Sequence, residues 1–215
     1  MIVAGVEEAG RGPVIGPMVM CICATDEKNL DKLSEIGVKD SKLLSPLQRE
    51  RLFEQIKKIC NHKIVIISSQ EIDDSLNDPE MNLNKLEAKT SAMLINSVKS
   101  DKVTLDCPST NIPAYRQYVQ NFVKVNTTII AEHKADLNYV IVGAASILAK
   151  VTRDAEIEKI KQKHNVEFGS GYPSDPRTIS FLKNNWKKYD FFRKTWATYK
   201  KVAENQNQRQ LNDLN

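Results

Sequence analysis

Two kinds of hydrophobic pattern alternate along the chain. Continuous apolar runs predict buried strands over residues 1–6, 14–24, 62–69, 102–106 and 127–131. Apolar residues spaced three and four apart predict helices over residues 28–36, 45–60, 82–99, 113–122 and 138–164. The first two strands are joined too closely to lie parallel, whereas the later strands are joined through helices. The pattern therefore predicts an α/β fold, in which a mixed five-stranded sheet is flanked by helices and followed by a C-terminal helical appendage.

The start of the second predicted helix is clearly marked. Ser45 is a good capping residue, Pro46 suits the first helical position, and Gln48 follows the cap by three residues. Helical spacing places Leu47 on the inward face of this helix, and it places Met93 on the inward face of the helix over residues 82–99.

Composition narrows the class of protein. The 215 residues are 41% hydrophobic and 27% charged, which is ordinary for a globular domain. No apolar run is long enough to span a membrane, and no basic segment precedes an apolar one at the N-terminus, so we expect a cytoplasmic protein, or a nuclear one if the source is eukaryotic. We also expect a monomer. Cys21, Cys23, Cys60 and Cys107 form no Cys-x-x-Cys pair and lie in or beside apolar segments, which predicts buried free thiols rather than a zinc site.

Charge is unevenly distributed. The net charge is only +4, but residues 176–202 contain eight Lys or Arg and a single acid, Asp190. This excess indicates a polyanionic partner. The basic residues are interleaved with half of the chain's aromatic residues, which fits a surface that grips a duplex. The alternative, which we favour for most of the rings, is that they pack a pair of C-terminal helices onto the body.

Two adjacent acids end the first apolar run. Glu7 and Glu8 repel each other at the end of a strand, and a divalent cation with oxygen ligands would offset that repulsion. In the Gly10-Arg11-Gly12 stretch that follows, the glycines allow backbone and guanidinium to approach a phosphate or sugar closely. A dinucleotide-binding glycine loop is one alternative, but the prolines and β-branched residues that follow disfavour the helix it requires. A purely structural turn would explain the glycines but not the acids.

Two further acids are predicted to reach the same edge of the sheet. Asp106 ends the fourth strand, Asp136 lies just past the fifth, and the carboxyl ends of parallel strands share one edge. Taken alone, Asp106 could be a capping acid at a strand end and Asp136 a helix N-cap. Taken together with Glu7 and Glu8, they predict an all-oxygen site for two Mg²⁺ or Mn²⁺ ions that activate water against a phosphodiester.

The chain also resembles a known family. Residues Glu7 to Gly12 resemble the signature of the type 2 ribonucleases H (ribonuclease HII), an acidic pair followed by Ala-Gly-Arg-Gly. Four further blocks resemble motifs of that family in the same order, over residues 39–42, 132–136, 144–154 and 169–176. The details are most similar to the archaeal and eukaryotic catalytic chains. The resemblance implies a ribonuclease H-like fold.

The resemblance implies a metal-dependent endoribonuclease of DNA replication and repair. Such an enzyme hydrolyses the RNA strand of RNA–DNA hybrids and cuts 5′ of single ribonucleotides in duplex DNA, leaving 3′-OH and 5′-phosphate ends. The resemblance assigns metal binding and catalysis to Glu7, Glu8, Asp106 and Asp136. The family's first acid is aspartate, and the extra methylene of Glu7 is enough to displace an ion. A hybrid-binding module of the same fold, with weak or absent cleavage, is therefore the alternative function.

The same resemblance implies a set of substrate contacts. Gly10, Arg11 and Gly12 would read the 2′-hydroxyl at the RNA–DNA junction, and Tyr172 would stack on the deoxyribose that follows. The remaining substrate contacts are assigned to Lys39, Ser41, Lys42, Ser146, Lys150 and Arg153. The alternatives are a solvated loop or helix face for the basic residues, and simple packing for Ser146, which we favour.

The sequence suggests three segments. Residues 1–165 form the predicted ribonuclease H-like catalytic domain, and residues 206–215 form a polar tail. Residues 166–205 contain a tyrosine loop and a basic and aromatic helical segment, and both are predicted to pack on the catalytic domain. Gln208, Leu211 and Leu214 have the spacing of a sliding-clamp-binding tail, although its two terminal aromatic residues are missing.

Overall fold

The computed structural model describes residues 1–39, 41 and 44–212, and for residues 209–212 it describes the backbone alone. Within this part of the chain, one five-stranded sheet has the order β3-β2-β1-β4-β5. The strands are β1 (Ile2–Ala9), β2 (Met18–Asp26), β3 (Asn61–Ile67), β4 (Lys102–Asp106) and β5 (Thr128–Glu132). Because β1 is antiparallel to β2 but parallel to β4, and β4 is parallel to β5, the predicted mixed sheet is confirmed.

The helices follow the predicted order, with additions. After a short 3₁₀ turn (Glu27–Asn29), they are α1 (Leu30–Glu35), α2 (Pro46–Ile59), α3 (Ser69–Leu76), α4 (Leu83–Ser97), α5 (Ile112–Gln120), α6 (Ala135–Asn138), α7 (Val140–His164), α8 (Pro176–Asn185) and α9 (Ala197–Asn212). Ser45 and Gln48 form the predicted capping box of α2. No helix in the described ranges has the length and apolar character that crossing a membrane requires.

The first two strands differ from their predicted bounds. β1 continues through both acids to Ala9, because Glu7, Glu8 and Ala9 pair with residues of β2. β2 begins at Met18, four residues later than predicted. Gly10 and Gly16 both have positive φ angles, 83° and 85°, so the backbone between the two strands turns instead of continuing as a strand.

Two predicted inward positions are wrong. Leu47 is 77% exposed in the first turn of α2, and Met93 is 51% exposed on α4. The buried face of α4 runs through Glu87, Ser91 and Ile95, a row spaced by four residues that leaves Met93 on the opposite side.

The described chain consists of two compact units. The first contains residues 1–9, 19–66 and 82–153, with a core formed mainly by β2, α2 and the apolar first half of α7. The second contains residues 10–18, 67–81 and the chain from Asp154 onward. Both are built from non-consecutive segments, and the division at residues 165 and 205 stays a prediction. The four cysteines are buried free thiols, as predicted.

The aromatic residues of the second unit form its core. Phe168 and Phe192 are fully buried, and the Phe191 ring centroid lies 4.7 Å from that of Tyr189 and 5.2 Å from that of Phe192. The Tyr199 hydroxyl donates a hydrogen bond to the carbonyl oxygen of Trp186. The favoured interpretation, that most of these rings pack the C-terminal segment, is confirmed.

Candidate active site

Parallel pairing brings two of the predicted acids side by side in the first unit. Val6 of β1 is in register with Leu105 of β4, so Glu7 and Asp106 are the next residues on neighbouring strands. Strands in a sheet lie about 4.8 Å apart, which puts the two side chains within electrostatic reach of each other. Glu8 follows Glu7 and is half-buried, whereas Glu7 is only 7% exposed.

A hydrogen bond fixes Asp106 beside the residue that precedes Asp136. The backbone N–H of Ala135 donates to Asp106 Oδ1 at 2.7 Å, and Asp136 is the next residue along the chain. Asp136 lies within the first turn of α6 and is 7% exposed. The N-cap alternative placed Asp136 one or two residues before the long helix, but α7 begins only at Val140, four residues later. Asp136 is not the N-cap of α6 either, because that position belongs to Lys134, which has a left-handed backbone (φ 56°). Asp106 accepts a hydrogen bond from the first backbone amide of α6, in keeping with the capping alternative.

Burial and charge act together on Glu7. Desolvation is the largest cause that raises the pKa of Glu7 well above its usual value, followed by the negative charges of Glu8, Asp106 and Asp136. The four carboxylates therefore influence one site. A raised pKa is the response of an acid that lacks a compensating positive charge.

The donor set fits a hard divalent cation. Glu7 Oε2 is buried and accepts no hydrogen bond from the described residues, so this oxygen is available as a ligand. All the candidate donors are carboxylate oxygens, which suit Mg²⁺ or Mn²⁺. As they stand, no three His, Cys, Asp or Glu side chains in the described ranges are arranged to hold a metal ion. Convergence of the four acids on bound ions therefore stays a prediction.

A fifth acid, Glu87, was missed by the sequence reasoning. It is 1% exposed on the inward face of α4. Burial and then the negative charge of Glu87 raise the pKa of Tyr115, and Glu8 adds to this effect. Glu87 also contributes to raising the pKa of Cys107, which follows Asp106. A signal was present in the sequence, because Glu87 lies four residues after Leu83 and seven before Leu94, which puts an acid on an apolar face.

Close packing of α7 on β1 positions the next group of predicted residues. A Cβ atom on Gly5 would lie 2.6 Å from the backbone nitrogen of Val142, so only glycine allows this approach. Farther along α7, Ser146 Oγ lies 2.9 Å from Ser41 Oγ, and both hydroxyls are buried. The two predicted serines are thus paired with each other, in keeping with a packing role for Ser146.

The predicted phosphate-binding cations have different environments. Lys39 is exposed and Lys150 is half-buried. Arg153 is only 2% exposed, which does not fit the alternative of a solvated helix face for this residue. Lys42 lies outside the described residues.

Two segments of the second unit lie close together, the glycine–arginine turn (residues 10–12) and the tyrosine loop (residues 169–176). The backbone N–H groups of Val14 and Ile15 both donate to the carbonyl oxygen of Gly171, at 2.9 and 3.3 Å. A Cβ atom on Gly12 would lie 3.7 Å from the ring of Tyr172, which is 36% exposed. The structure therefore places Gly12, in the first block that carries the family resemblance, close to Tyr172, in the last block. Gly10 and Arg11 lie in the same turn, and Arg11 is half-buried.

One basic residue of the C-terminal segment does not face solvent. Arg193 is fully buried, which corrects the expectation that the basic residues between the rings lie on a duplex-gripping surface, although Lys187, Lys188 and Lys194 are exposed. Its partners lie more than 175 residues earlier in the chain, so no local pattern could have identified its role.

Comparisons with known proteins add to this geometry. Residues 4–199 match the family described as Ribonuclease HII. A protein named Ribonuclease HII from Pyrococcus horikoshii is 46% identical over 218 residues, which cover 98% of this chain and 97% of that relative. The crystal structure of the ribonuclease H2 from Pyrococcus horikoshii OT3 has a TM-score of 0.87 and 46% identity, over 95% of this chain and 98% of that one.

A second solved structure is described as the complex of PCNA and RNase HII from Archaeoglobus fulgidus. It has a TM-score of 0.84 and 37% identity, over 91% of this chain and 95% of that one. Together these likenesses confirm the predicted fold class, the α/β ribonuclease H-like fold, over nearly the whole chain.

Proposed function

Because the chain belongs to the ribonuclease HII family, and is thus an endonuclease of the ribonuclease H type, we propose that it cuts duplexes at ribonucleotides. It hydrolyses the RNA strand of RNA–DNA hybrids and cuts 5′ of single ribonucleotides in duplex DNA, leaving 3′-OH and 5′-phosphate ends. The observation that carries this proposal is the acid cluster, in which β1 and β4 place Glu7 beside Asp106, and Asp106 accepts a hydrogen bond from the residue before Asp136. Burial, and then the charges of Glu8, Asp106 and Asp136, raise the pKa of Glu7. The comparisons favour the enzyme over the hybrid-binding module.

The four acids would hold two divalent cations, Mg²⁺ or Mn²⁺. When bound, such ions stabilise the charge that develops on a phosphodiester and make water a competent nucleophile. The protein's own contribution is to keep the carboxylates in place. The paired ends of β1 and β4 do this for Glu7 and Asp106, and the bond from the Ala135 N–H to Asp106 does it for α6, which carries Asp136.

Recognition of the ribonucleotide belongs to the second unit. The Gly10–Gly12 turn reads the 2′-hydroxyl, the group that separates RNA from DNA, and Tyr172 stacks on the next deoxyribose. Lys39, Lys42, Lys150 and Arg153 hold phosphates, with Ser41 and Ser146 in supporting positions. The hydrogen bonds from Val14 and Ile15 to Gly171, and the nearness of Gly12 to the Tyr172 ring, support a common role for the two loops.

A labelled DNA duplex that contains one ribonucleotide tests the proposed function. In Mg²⁺ or Mn²⁺, the chain should cut it once, on the 5′ side of the ribonucleotide, and it should leave the all-DNA duplex intact. EDTA should abolish the cut. Tight binding without cleavage under either ion, or equal cutting of the all-DNA duplex, would overturn the proposal.

A sliding clamp is the proposed protein partner. The sequence carries Gln208, Leu211 and Leu214 in a polar tail, and a solved relative is described in complex with PCNA. Leu214 lies outside the described residues, and of Leu211 only the backbone is described. A chain ending at residue 207 should lose binding to the clamp while its cleavage of short duplexes is unchanged, and clamp binding by the truncated chain would contradict this assignment.

A further inference from the structure

Arg193 binds the backbone of the glycine–arginine turn rather than a phosphate. Its guanidinium donates from Nη2 to the carbonyl oxygen of Gly10 at 2.6 Å, from Nη1 to that of Arg11 at 3.0 Å and from Nε to that of Gly16 at 2.9 Å. Its backbone N–H donates to the carbonyl oxygen of Val14. The guanidinium donates from three separate nitrogens in a fixed plane, so it can bind carbonyl groups that lie apart, whereas the three donors of a lysine ammonium all lie on one nitrogen at the end of a flexible stem.

Two neighbouring side chains complete this arrangement. The Arg193 guanidinium lies 4.7 Å from the ring centroid of Trp196, and the indole N–H of Trp196 donates to the carbonyl oxygen of Gly12 at 3.2 Å. Asp73 of α3 is buried and accepts hydrogen bonds from the backbone N–H groups of Lys194 and Thr195. Asp73 therefore fixes the backbone of this segment, while the side chains of Arg193 and Trp196 bind the carbonyl oxygens of the turn.

The direction of the carbonyls determines the direction of the amides. In a trans peptide, the C=O and N–H bonds point opposite ways. Because Arg193 draws the carbonyls of Gly10 and Arg11 toward itself, the N–H groups of Arg11 and Gly12 point away from Arg193. Successive amides that point the same way, next to a residue with positive φ such as Gly10, form a concave donor site for an oxygen ligand.

We propose that Arg193 is a positioning residue that sets the preference for a ribonucleotide. It holds the peptide groups of residues 10–12 in one orientation, so that the turn presents preorganised donors to the sugar. The effect on ribonucleotide preference rests on the proposed function, whereas the effect on the orientation of the turn does not.

Hydrogen exchange tests the effect on the turn without any substrate. In Arg193→Lys, peptides that cover residues 9–18 should exchange about tenfold faster than in the parent, because one ammonium replaces a three-bond fork. Leu182→Ala removes a fully buried side chain from the same core and serves as the matched control. Trp196→Phe keeps an aromatic ring beside Arg193 but removes the bond to Gly12, so it should give a smaller change in the same direction if the lysine variant does not fold. Unchanged exchange in either folded variant, or an equal increase in Leu182→Ala, would overturn the proposal.

Binding measured in EDTA, where neither duplex is cut, tests the effect on recognition. The parent should prefer the single-ribonucleotide duplex over the all-DNA duplex. In Arg193→Lys, the ratio of the two Kd values should fall about tenfold, while affinity for the all-DNA duplex stays within about twofold. A preference preserved in this variant would overturn the role of Arg193 in recognition. A parent without any preference would instead count against the proposed function, and the exchange experiment would still decide whether Arg193 holds the turn.

Discussion

Glu7 lies at the buried end of β1, where desolvation and three neighbouring carboxylates all oppose its ionisation. The direction of its pKa shift fixes how stability depends on pH. Below about pH 4.5, its usual pKa, Glu7 is protonated in both the folded and the unfolded chain. As the pH rises above that value, the unfolded chain loses the proton first, and the folded state loses stability until the pH passes the raised pKa of Glu7.

Replacing Glu7 by glutamine removes this dependence. In EDTA, Glu7→Gln and the parent should have similar free energies of unfolding near pH 4, and the variant should be more stable by about 1–3 kcal/mol near pH 7.5. Chemical denaturation across this pH range measures the difference. Glu50→Gln changes an exposed glutamate and should follow the parent at every pH. A Glu7→Gln curve that also follows the parent would show that Glu7 is not held in a repulsive, desolvated site.

At the scale of secondary-structure elements, the contact between β1 and α7 depends on one missing methyl group. A Cβ atom on Gly5 would lie 2.7 Å from the carbonyl carbon of Ile141 and 2.6 Å from the backbone nitrogen of Val142. These are backbone atoms at the start of α7, so no side-chain rotation relieves the clash. The helix that carries Ser146, Lys150 and Arg153 would have to move.

Gly5→Ala should therefore lower the free energy of unfolding by about 3 kcal/mol or more, as measured by chemical denaturation. Gly37→Ala is the matched control, because Gly37 has a φ of 94° but no atom of the described residues lies within 4 Å of the place that its added methyl group would occupy. Its cost should be only the conformational 1–2 kcal/mol or so. Equal destabilisation of the two variants would contradict the close approach of α7 to β1.

Local sequence patterns predicted some helix starts and site residues but not others. The capping box at Ser45 marked the start of α2, whereas the equivalent box formed by Ser68 and Glu71 was missed, because α3 is short and directly follows the apolar run of β3. The acids were identified because each lies at or just past a strand end, which is a local property. The hydrogen bonds from Arg193 to the turn were missed because they join residues more than 175 positions apart. Local pattern carries no information on such a contact.

At the scale of the whole molecule, charge rather than fold indicates a polyanionic partner. Lys187 and Lys188 are exposed, and each one that contacts a phosphate should release about one counterion on binding. Binding of the single-ribonucleotide duplex should weaken as salt rises, and the double variant Lys187→Gln, Lys188→Gln should reduce the slope of log K against log salt by up to about 2. Lys28→Gln, Lys32→Gln removes two exposed lysines of the first unit and should keep the parental slope. Equal slopes for the parent and the first double variant would contradict phosphate contacts by Lys187 and Lys188.

Cleavage by Asp106→Asn tests the central claim, that the carboxylates of β1, β4 and α6 carry out the reaction. The substitution keeps the size of the side chain and an oxygen acceptor for the Ala135 N–H but removes one negative charge. On the single-ribonucleotide duplex in Mg²⁺ or Mn²⁺, kcat should fall roughly a thousandfold or more, about 4 kcal/mol in activation free energy, while the Kd for the duplex in EDTA stays within about threefold. Asp74→Asn, an exposed acid of α3, should cleave at the parental rate. An Asp106→Asn variant that cleaves as fast as the parent would contradict the account.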